Sequence, residues 1–244
     1  MSPRPDRRPT ATAAPKGVPK ALVAGVLAAV VLLVVVVVLA LTRPWADGEE
    51  GAAGSGEAGV SVGEPAEGAP EVILYEDFQC SWCARFDAAI GEEMHRLAQD
   101  GQIDLTYVVR HFLDGQGDTS TRASNAALCA EEEGEYVAFQ SALYSTHPVF
   151  QGETGDQIAW TDEHFVSVAE QIGLSGADLD GFNACVAGQD HLDRVRDMEV
   201  RALRDGITGT PTIVVEGEQL DEGAMNGLLS GTLTVEQAVA EATS

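Results

Sequence analysis

The sequence predicts an α/β domain that follows an apolar N-terminal anchor, and three observations indicate this fold class. Residues 21–41 form an uncharged apolar run. After about residue 70, short β-branched runs and helical periodicity alternate in the order β-α-β, several helices, β-β-α. The composition is 45% hydrophobic and 22% charged, which supports a buried core and excludes a disordered or collagen-like chain.

The apolar run at 21–41 is predicted to be an uncleaved transmembrane signal-anchor. At ~1.5 Å per residue it spans roughly 31 Å as a helix, which matches the hydrocarbon core of a bilayer. A cleavable signal peptide usually has an apolar core of about 7–15 residues, and removal of this segment is the alternative. Basic residues cluster within the tail at 1–20, so the positive-inside rule predicts a cytoplasmic N-terminus and an extracytoplasmic chain after about residue 42.

Residues 42–69 are predicted to be a flexible linker. They are rich in Gly, Ala, Glu and Pro and hold few large apolar residues, so they cannot bury enough surface to offset their ordering entropy. The part at 60–63 is the one that could already touch the domain, which is assigned to 70–244. The chain has 39 acidic against 14 basic residues and a formal net charge of −25, which excludes a nucleic-acid phosphate partner.

Two cysteines stand at a predicted strand-to-helix junction. Residues 72–75 are a short β-branched run, and 103–112 are predicted to form a second strand. Between them lie Cys80-Ser81-Trp82-Cys83 and a helix whose apolar positions recur at helical spacing: Phe86, Ile90, Met94 and Leu97. The CxxC motif therefore lies within a β-α-β unit.

This position favours thiol–disulfide chemistry at Cys80. The unpaired N–H groups at a helix start favour the thiolate, which is both the nucleophile and the better leaving group. Cys83, about one turn into the helix, could attack a mixed disulfide formed at Cys80. An inert disulfide that staples the helix start is the alternative.

The two other cysteines are Cys129 and Cys185, and four cysteines allow three connectivities. Proximity pairs Cys80 with Cys83 and leaves Cys129 with Cys185. A structural zinc site with four cysteine ligands would need two close pairs, so no metal is expected. No bound cofactor is expected either.

The remaining pattern predicts helices, a Pro-led strand and a turn. Thr161 and Thr234 are candidate helix caps, with Gln237 at the third position after Thr234. The predicted segments are helices at 120–143, 162–173, 179–186, 191–204 and 234–242, a strand at 209–215, and a hairpin turn at 216–218.

The combination of "DFQCSWC" with the distant "GITGTPTIVV" resembles the DsbA-type thioredoxin-fold thiol–disulfide oxidoreductases, particularly the membrane-anchored actinobacterial ones. The resemblance covers roughly residues 60–244. It implies a thioredoxin-like fold with a helical insertion at about 115–205. The segments "VVRHFL" at 108–113 and "NAALCAEEEGEYVAFQSALY" at 125–144 are similar to the second strand and the first inserted helix of the family.

The resemblance also implies roles for Thr210 and Pro211. Pro211 would be cis and pack against the CxxC motif, and the Thr210 backbone would offer hydrogen bonds to a substrate segment. An ordinary trans Pro at the start of an edge strand is the alternative. Cys129 and Cys185 match an extra disulfide of some members, with a second redox pair as the alternative.

Four residues within or just before the motif leave the redox potential and the thiol pKa values open. Ser81 stands where many members have Pro, and Trp82 stands where the strongest oxidants often have His, so the redox potential is not predicted. Trp82 could contact unfolded substrate or simply cover the helix start. Glu76 and Asp77 could raise the thiol pKa or shuttle protons, or they could be solvated loop acids.

The predicted function is extracytoplasmic thiol–disulfide exchange on secreted or envelope proteins, as dithiol oxidation through Cys80 and Cys83. By family analogy, a membrane quinone reductase of DsbB-like or vitamin K epoxide reductase-like type would reoxidise the pair. One alternative is a disulfide reductase or isomerase on the same fold, fed by a membrane electron donor. The other is a non-catalytic binding module with structural disulfides.

Overall fold

The computed structural model describes residues 58–115, 117–152 and 158–244. The predicted tail at 1–20, the anchor at 21–41 and most of the linker lie outside these residues. Within the described ranges, no helix combines the length and the apolar character that crossing a membrane requires.

The described elements follow the predicted α/β order, with an additional strand before the first predicted one and an additional helix near the C-terminus. They are β1 (Val60–Val62), β2 (Glu71–Glu76), α1 (Ser81–Phe86), a π-helical turn (Asp87–Gly91), α2 (Glu92–Gln99), β3 (Asp104–Val109), α3 (Thr119–Glu132), α4 (Tyr136–Ser145), a 3-10 turn (Pro148–Gln151), α5 (Asp162–Gln171), α6 (Gly176–Gly188), α7 (Leu192–Arg204), β4 (Thr212–Val215), β5 (Glu218–Gln219), α8 (Glu222–Ser230) and α9 (Val235–Ala242).

The strands form one mixed sheet in the order β1-β3-β2-β4-β5. β2 pairs with β3 in parallel, through the crossover that contains the CxxC motif, and with β4 in antiparallel register. Since β2 lies at the centre, its residues after Glu71 are buried on both faces, as the continuous apolar run at 72–75 indicated. The thioredoxin-like α/β fold with a helical insertion is confirmed.

The sheet begins within the segment assigned to the linker, which corrects the predicted domain boundary at residue 70. β1 pairs with β3, and Val60 and Val62 are buried while Ser61 between them is exposed. The pairing with β1 covers what would otherwise be an open edge of β3. Arg194 of α7 donates a hydrogen bond of 2.7 Å to the Gly59 carbonyl. The composition of 42–69 hid this short strand because its flanks are rich in Gly and Glu.

The helical insertion is divided differently from the prediction. The helical segment at 120–143 consists of α3 and α4, which are separated at Gly134, a residue with a φ of +79° that favours glycine. Helix α8 was not predicted, because its two internal glycines weaken the helical pattern. Asp221 caps it by accepting a hydrogen bond of 2.8 Å from the Ala224 N–H. Thr161 and Thr234 are N-caps as predicted, and Gln237 completes a capping box.

Strand β3 ends at Val109 rather than at residue 112. The next side chain, Arg110, is buried and donates two hydrogen bonds, of 2.6 and 3.1 Å, to the Glu199 carboxylate of α7. This bidentate pair directs the chain away from the sheet and ties α7 to it. The loop that follows β3 contacts the turn before α1, because the Leu113 N–H donates to Asp77 and the Leu113 carbonyl accepts from the Gln79 side chain.

Candidate active site

Cys80 lies in the tight turn that joins β2 to α1. Its N–H donates a hydrogen bond of 2.9 Å to the Asp77 carbonyl, and its own carbonyl accepts the first helical bond, from Ala84 N–H, at 3.1 Å. Cys80 is thus the N-cap residue, while Cys83 lies within the first turn of α1. Both are free thiols, with 6% and 2% of their surfaces exposed. The structure brings the two sulfurs to the same helix start.

The surroundings of Cys80 favour its thiolate. The Cys83 thiol donates a hydrogen bond that is the largest of the influences that lower the Cys80 pKa, to about 6. Thr210 and the hydrogen bonds from the Cys83 and Trp82 N–H groups act in the same direction, while burial opposes them. At neutral pH, Cys80 is therefore mainly a thiolate in the reduced protein.

Cys83 has the opposite character. Burial raises its pKa well above the ordinary value, and the negative charges of the Cys80 thiolate and of Glu76 raise it further. Its proton is held on the sulfur and shared with the Cys80 thiolate. The two cysteines of one helical turn are therefore divided into a nucleophile and a protonated resolving thiol.

The Thr210–Pro211 segment lies directly against Cys80. The peptide bond is cis, and the Cys80 thiol donates a hydrogen bond of 3.3 Å to the Thr210 carbonyl. The Thr210 hydroxyl oxygen is buried and has no hydrogen-bond partner among the described residues in this thiol form. It is a donor that the Cys80 thiolate can use.

Trp82 is the exposed residue of the motif. Its side chain is 55% exposed, and the Arg85 guanidinium lies 5.6 Å from the centre of its ring. Phe112 and Phe150 are also exposed. Gln79 connects the segments that carry Phe112 and Phe150 to the motif. Its side-chain amide donates to the Leu113 carbonyl at 3.2 Å, and its main-chain carbonyl contacts His147 at 3.1 Å.

Glu76 is buried, so the alternative that it is a solvated loop acid is wrong. It is 2% exposed, and burial raises its pKa to about 8. Gln140 and Tyr136 donate hydrogen bonds of 3.1 and 3.3 Å to its carboxyl group. Glu76 and Cys83 line a common cavity of about 10 Å³ that also touches Asp87 and Pro211 and is about large enough for one water molecule.

Asp77 is also buried, on the Cys80 side. It is 0% exposed, and burial raises its pKa to about 7. Its carboxylate accepts hydrogen bonds from Ser120 Oγ at 2.5 Å, Gln79 N–H at 3.0 Å and Leu113 N–H at 3.1 Å. The carboxylate therefore fastens the turn before Cys80 to the start of α3 and to the loop after β3.

Sequence reasoning did not find Gln79, Ser120 or His147. The Gln79 side chain donates to Ser120 Oγ at 2.8 Å and accepts from the Ile158 N–H at 3.1 Å. His147 Nδ1 accepts from the Val149 N–H, so Nε2 carries the proton and donates to the Gln79 carbonyl. No local pattern marks these residues, because the contacts that join them to the motif and to one another span 34 to 79 positions.

Cys129 and Cys185 form a disulfide between α3 and α6, remote in sequence from the CxxC motif. Cys129 is 0% exposed and Cys185 is 4% exposed. One ring nitrogen of His191 lies within 4.8 Å of both sulfurs, and no other potential metal-ligating cluster of three occurs among the described residues. Since disulfide sulfurs are not thiolate ligands, this cluster does not constitute a metal site in this state.

Comparison with known proteins agrees with this geometry. A thioredoxin family model matches residues 56–230. The MdbA protein of Actinomyces oris, a thiol-disulfide oxidoreductase, superposes with a TM-score of 0.59 at 22% identity, over 72% of this chain and 88% of that one. DsbA from Mycobacterium tuberculosis, in its reduced form, superposes with a TM-score of 0.55 at 21% identity, over 76% and 99%.

A curated relative of a different kind also matches. The Na(+)/H(+) antiporter NhaA 1 of Mycolicibacterium gilvum is 30% identical over 151 residues, which cover 61% of this chain. The match spans only 22% of the antiporter's length. The family match and the solved structures lead to one conclusion: the chain belongs to the thioredoxin family, and its fold is that of the DsbA-type thiol–disulfide oxidoreductases.

Proposed function

We propose that the protein exchanges thiols and disulfides with protein substrates and that it oxidises their dithiols. The observation that carries this proposal is the division of the redox pair into one thiol with a lowered pKa and one with a raised pKa, with the Thr210 carbonyl oxygen 3.3 Å from the Cys80 sulfur. A stabilised thiolate is a good leaving group, so the Cys80–Cys83 disulfide favours transfer to a substrate.

The reaction has two exchanges. A substrate thiolate attacks Cys80 Sγ of the disulfide, which forms a mixed disulfide and leaves Cys83 as a thiolate that takes up a proton. A second substrate thiolate then attacks the substrate sulfur of the mixed disulfide, and Cys80 leaves as a thiolate. The substrate loses two electrons, which remain on the sulfurs of Cys80 and Cys83.

Glu76 is positioned to accept the proton of Cys83 and to return it. Cys83 must lose this proton whenever it attacks a mixed disulfide, and burial away from water makes that loss costly. Glu76 lines the same small cavity and has a pKa near neutrality, which suits proton exchange through one water molecule.

The proposed location is the outer face of a membrane, with the segment at 21–41 as anchor. The length of this apolar run and the basic tail before it support the location. Reoxidation then requires a membrane-bound oxidant, for which a quinone reductase of DsbB-like or vitamin K epoxide reductase-like type is proposed. Secreted or envelope proteins with free thiols are the proposed substrates.

The test uses reduced, unfolded ribonuclease and the oxidised full chain in detergent. We expect stoichiometric return of ribonuclease activity, and Cys80→Ala should abolish it. The double substitution Cys129→Ala/Cys185→Ala is the matched control and should keep the exchange. Wild-type protein that cannot oxidise the ribonuclease would contradict the proposal.

A second candidate is the same exchange in the reducing or isomerising direction. Trp82 occupies a position where an imidazolium would stabilise the thiolate further, so one contribution to oxidising strength is missing. The potential of the pair against a glutathione buffer discriminates between the two. A value near or below roughly −270 mV, that of thioredoxin, favours reduction, and a value well above it favours oxidation.

A further inference from the structure

The disulfide of the helical insertion lies beside two further side chains of the kind that bind metals. One ring nitrogen of His191 lies within 4.8 Å of the sulfurs of Cys129 and Cys185. Glu132 adds a fourth group, because its Oε1 lies 3.2 Å from His191 Nε2. Cysteine, histidine and carboxylate side chains are the ligands of Zn²⁺ in proteins. These four residues, the insertion cluster, therefore have the composition of a zinc site.

The insertion cluster is assembled from two short local pairs. Cys129 and Glu132 are three positions apart in the last turn of α3, so they share one face of that helix. Cys185 lies near the end of α6, where Gln189 adopts the left-handed conformation and turns the chain, and His191 then begins α7. The packing of α3 on α6 brings the two pairs together, as the disulfide between them shows.

Asn125 supports one residue of each pair. Its side chain is buried, its Nδ2 donates a hydrogen bond of 3.6 Å to Cys129 Sγ, and its Oδ1 accepts one of 2.9 Å from the His191 N–H. Hydrogen bonds to a charged acceptor are stronger than those to a neutral one, so this donor favours a Cys129 thiolate. Side chains that orient ligands in this way are a regular part of metal sites.

The imidazole of His191 keeps a nitrogen that a metal ion can use. Its Nε2 is buried, and its contact with Glu132 does not have the geometry of a hydrogen bond. Two atoms that bind one tetrahedral Zn²⁺ at about 2.0 Å each lie roughly 3.3 Å apart. The observed separation of 3.2 Å between Nε2 and Oε1 is close to this value. The two sulfurs complete the set of ligands once their bond is reduced.

We propose that Cys129, Glu132, Cys185 and His191 form a structural zinc site in the reduced protein, so that a disulfide cross-links the insertion in the oxidised state and Zn²⁺ cross-links it in the reduced state. The proposal goes beyond the proposed function and does not depend on it, because neither cysteine of the CxxC motif takes part. Both cross-links join α3 to α6, and zinc also holds the start of α7. The insertion thereby stays fastened under conditions that reduce its disulfide.

The exchange between the two cross-links balances. A dithiol reductant gives two electrons to the Cys129–Cys185 bond and becomes a disulfide, and its two protons pass to the two cysteine sulfurs. Zn²⁺ then replaces these protons, which are released to solvent, while neutral His191 and ionised Glu132 supply the other two ligands. A disulfide oxidant reverses the exchange: it takes two electrons from the sulfurs, their bond forms again, and Zn²⁺ is released.

The burial of the insertion cluster suits a structural ion. Both cysteines are buried, whereas the side chain of Glu132 is 56% exposed and leaves a path for the ion to enter. Structural zinc sites have four protein ligands, while catalytic sites keep one position for water or substrate. With all four positions filled by side chains, the ion would hold helices together and leave the exchange chemistry to the CxxC motif.

The experiment uses Co²⁺ as a spectroscopic substitute for Zn²⁺. The full chain in detergent carries Cys80→Ser and Cys83→Ser, so that the motif cannot bind metal, and is reduced without oxygen by a phosphine, which is then removed. One equivalent of Co²⁺ should produce thiolate-to-cobalt charge-transfer absorption and the strong visible bands of tetrahedral Co²⁺, and Zn²⁺ should abolish both. The same protein with its disulfide intact should show neither. Missing bands in the reduced protein, or equal bands in the oxidised protein, would overturn the proposal.

Substitutions test whether the ion binds in the insertion cluster. His191→Ala should weaken zinc affinity by more than about 100-fold, since even a residue that only orients a ligand is worth about 10–100-fold. Glu132→Gln should also weaken it, because an amide is a poorer ligand than a carboxylate. His164→Ala is the matched control, in α5 of the same insertion and outside the cluster, and should keep the affinity. Unchanged affinity in His191→Ala would refute the assignment.

Two measurements on the intact cluster cover the case in which His191→Ala does not fold. X-ray absorption at the zinc edge should show two sulfur ligands at about 2.3 Å and two nitrogen or oxygen ligands at about 2.0 Å. Zinc should also raise the thermal midpoint of the reduced protein and leave that of the oxidised protein unchanged. A zinc ion without two sulfur ligands, or a reduced protein that zinc does not stabilise, would contradict the proposal. Neither result bears on ribonuclease oxidation, so this inference and the proposed function fail separately.

Discussion

The redox motif and the helical insertion each contain two cysteines, yet they place them in opposite settings. Cys80 and Cys83 share one helical turn at the end of the central strand, as free thiols. Cys129 and Cys185 are 56 positions apart, on two helices that their disulfide joins. The first pair has donors around one sulfur and the exposed Trp82 beside it, while the second is enclosed by the insertion. The reactivity of a cysteine thus follows from its surroundings rather than from its residue type.

Removal of the nucleophile should have the largest effect. Cys80→Ser is expected to lower ribonuclease oxidation by at least about 100-fold, because no other described thiol combines a lowered pKa with a helix start. Cys83→Ser should instead accumulate a mixed disulfide when Cys80 attacks a disulfide-bonded substrate protein, because no second thiol is present to resolve it, and this species is visible on a non-reducing gel. Substantial activity in Cys80→Ser would remove the distinction between the two cysteine pairs.

The pH dependence of alkylation should separate the two thiols of the motif. In the reduced protein, iodoacetamide should modify Cys80 with a midpoint near pH 6, and Cys83 only at much higher pH, as measured by peptide mass spectrometry. The lowered pKa of Cys80 also stabilises the folded reduced protein. This contribution is fully present above the unfolded-state pKa near 9 and is lost as the pH falls through about 6. Equal midpoints would contradict the division of roles.

Loss of the second pair should affect stability and leave exchange intact. The double substitution Cys129→Ala/Cys185→Ala opens a loop closed across 56 positions, which should lower the free energy of unfolding by ~3–4 kcal/mol in denaturant titration. The alkylation midpoint of Cys80 should stay near pH 6. A shift in that midpoint would show that the insertion disulfide contributes to redox tuning.

A substitution in the dipeptide should tune the first pair. Trp82→His places an imidazole beside the thiolate, which should lower the Cys80 pKa and shift the glutathione equilibrium toward the dithiol by roughly tenfold. Trp82→Phe is the matched control and should leave the equilibrium close to the wild-type value. A larger shift in Trp82→Phe than in Trp82→His would indicate that the indole itself sets the potential.

The smallest effect is expected in the insertion. Thr161 Oγ1 accepts from the His164 N–H at 3.4 Å at the start of α5. Thr161→Ala should cost about 1 kcal/mol of stability in chemical denaturation and leave the alkylation midpoint of Cys80 unchanged. A changed midpoint would mean that the insertion and the motif are coupled more closely than their contacts indicate.

Local sequence patterns predicted much of the fold. The β-branched run at 72–75, the helical spacing after Cys83 and the caps at Thr161 and Thr234 each depend on residues within a few positions of one another. Features that depend on distant partners were missed or misplaced. β1 was hidden in a Gly-rich segment, and the 120–143 segment divides at Gly134.

The sequence by itself determined that a thiol pair stands at a helix start and that a Thr–Pro dipeptide follows far along the chain, because motif spacing is local information. Only the tertiary structure decided what surrounds the sulfurs. It buries Glu76 and Asp77, which the sequence alone could not distinguish from solvated loop acids. It also brings Ser120, Leu113 and Thr210 to the motif from other elements. The physical reason is that pKa values depend on burial and on donors contributed across the fold, and neither is written in the order of neighbouring residues.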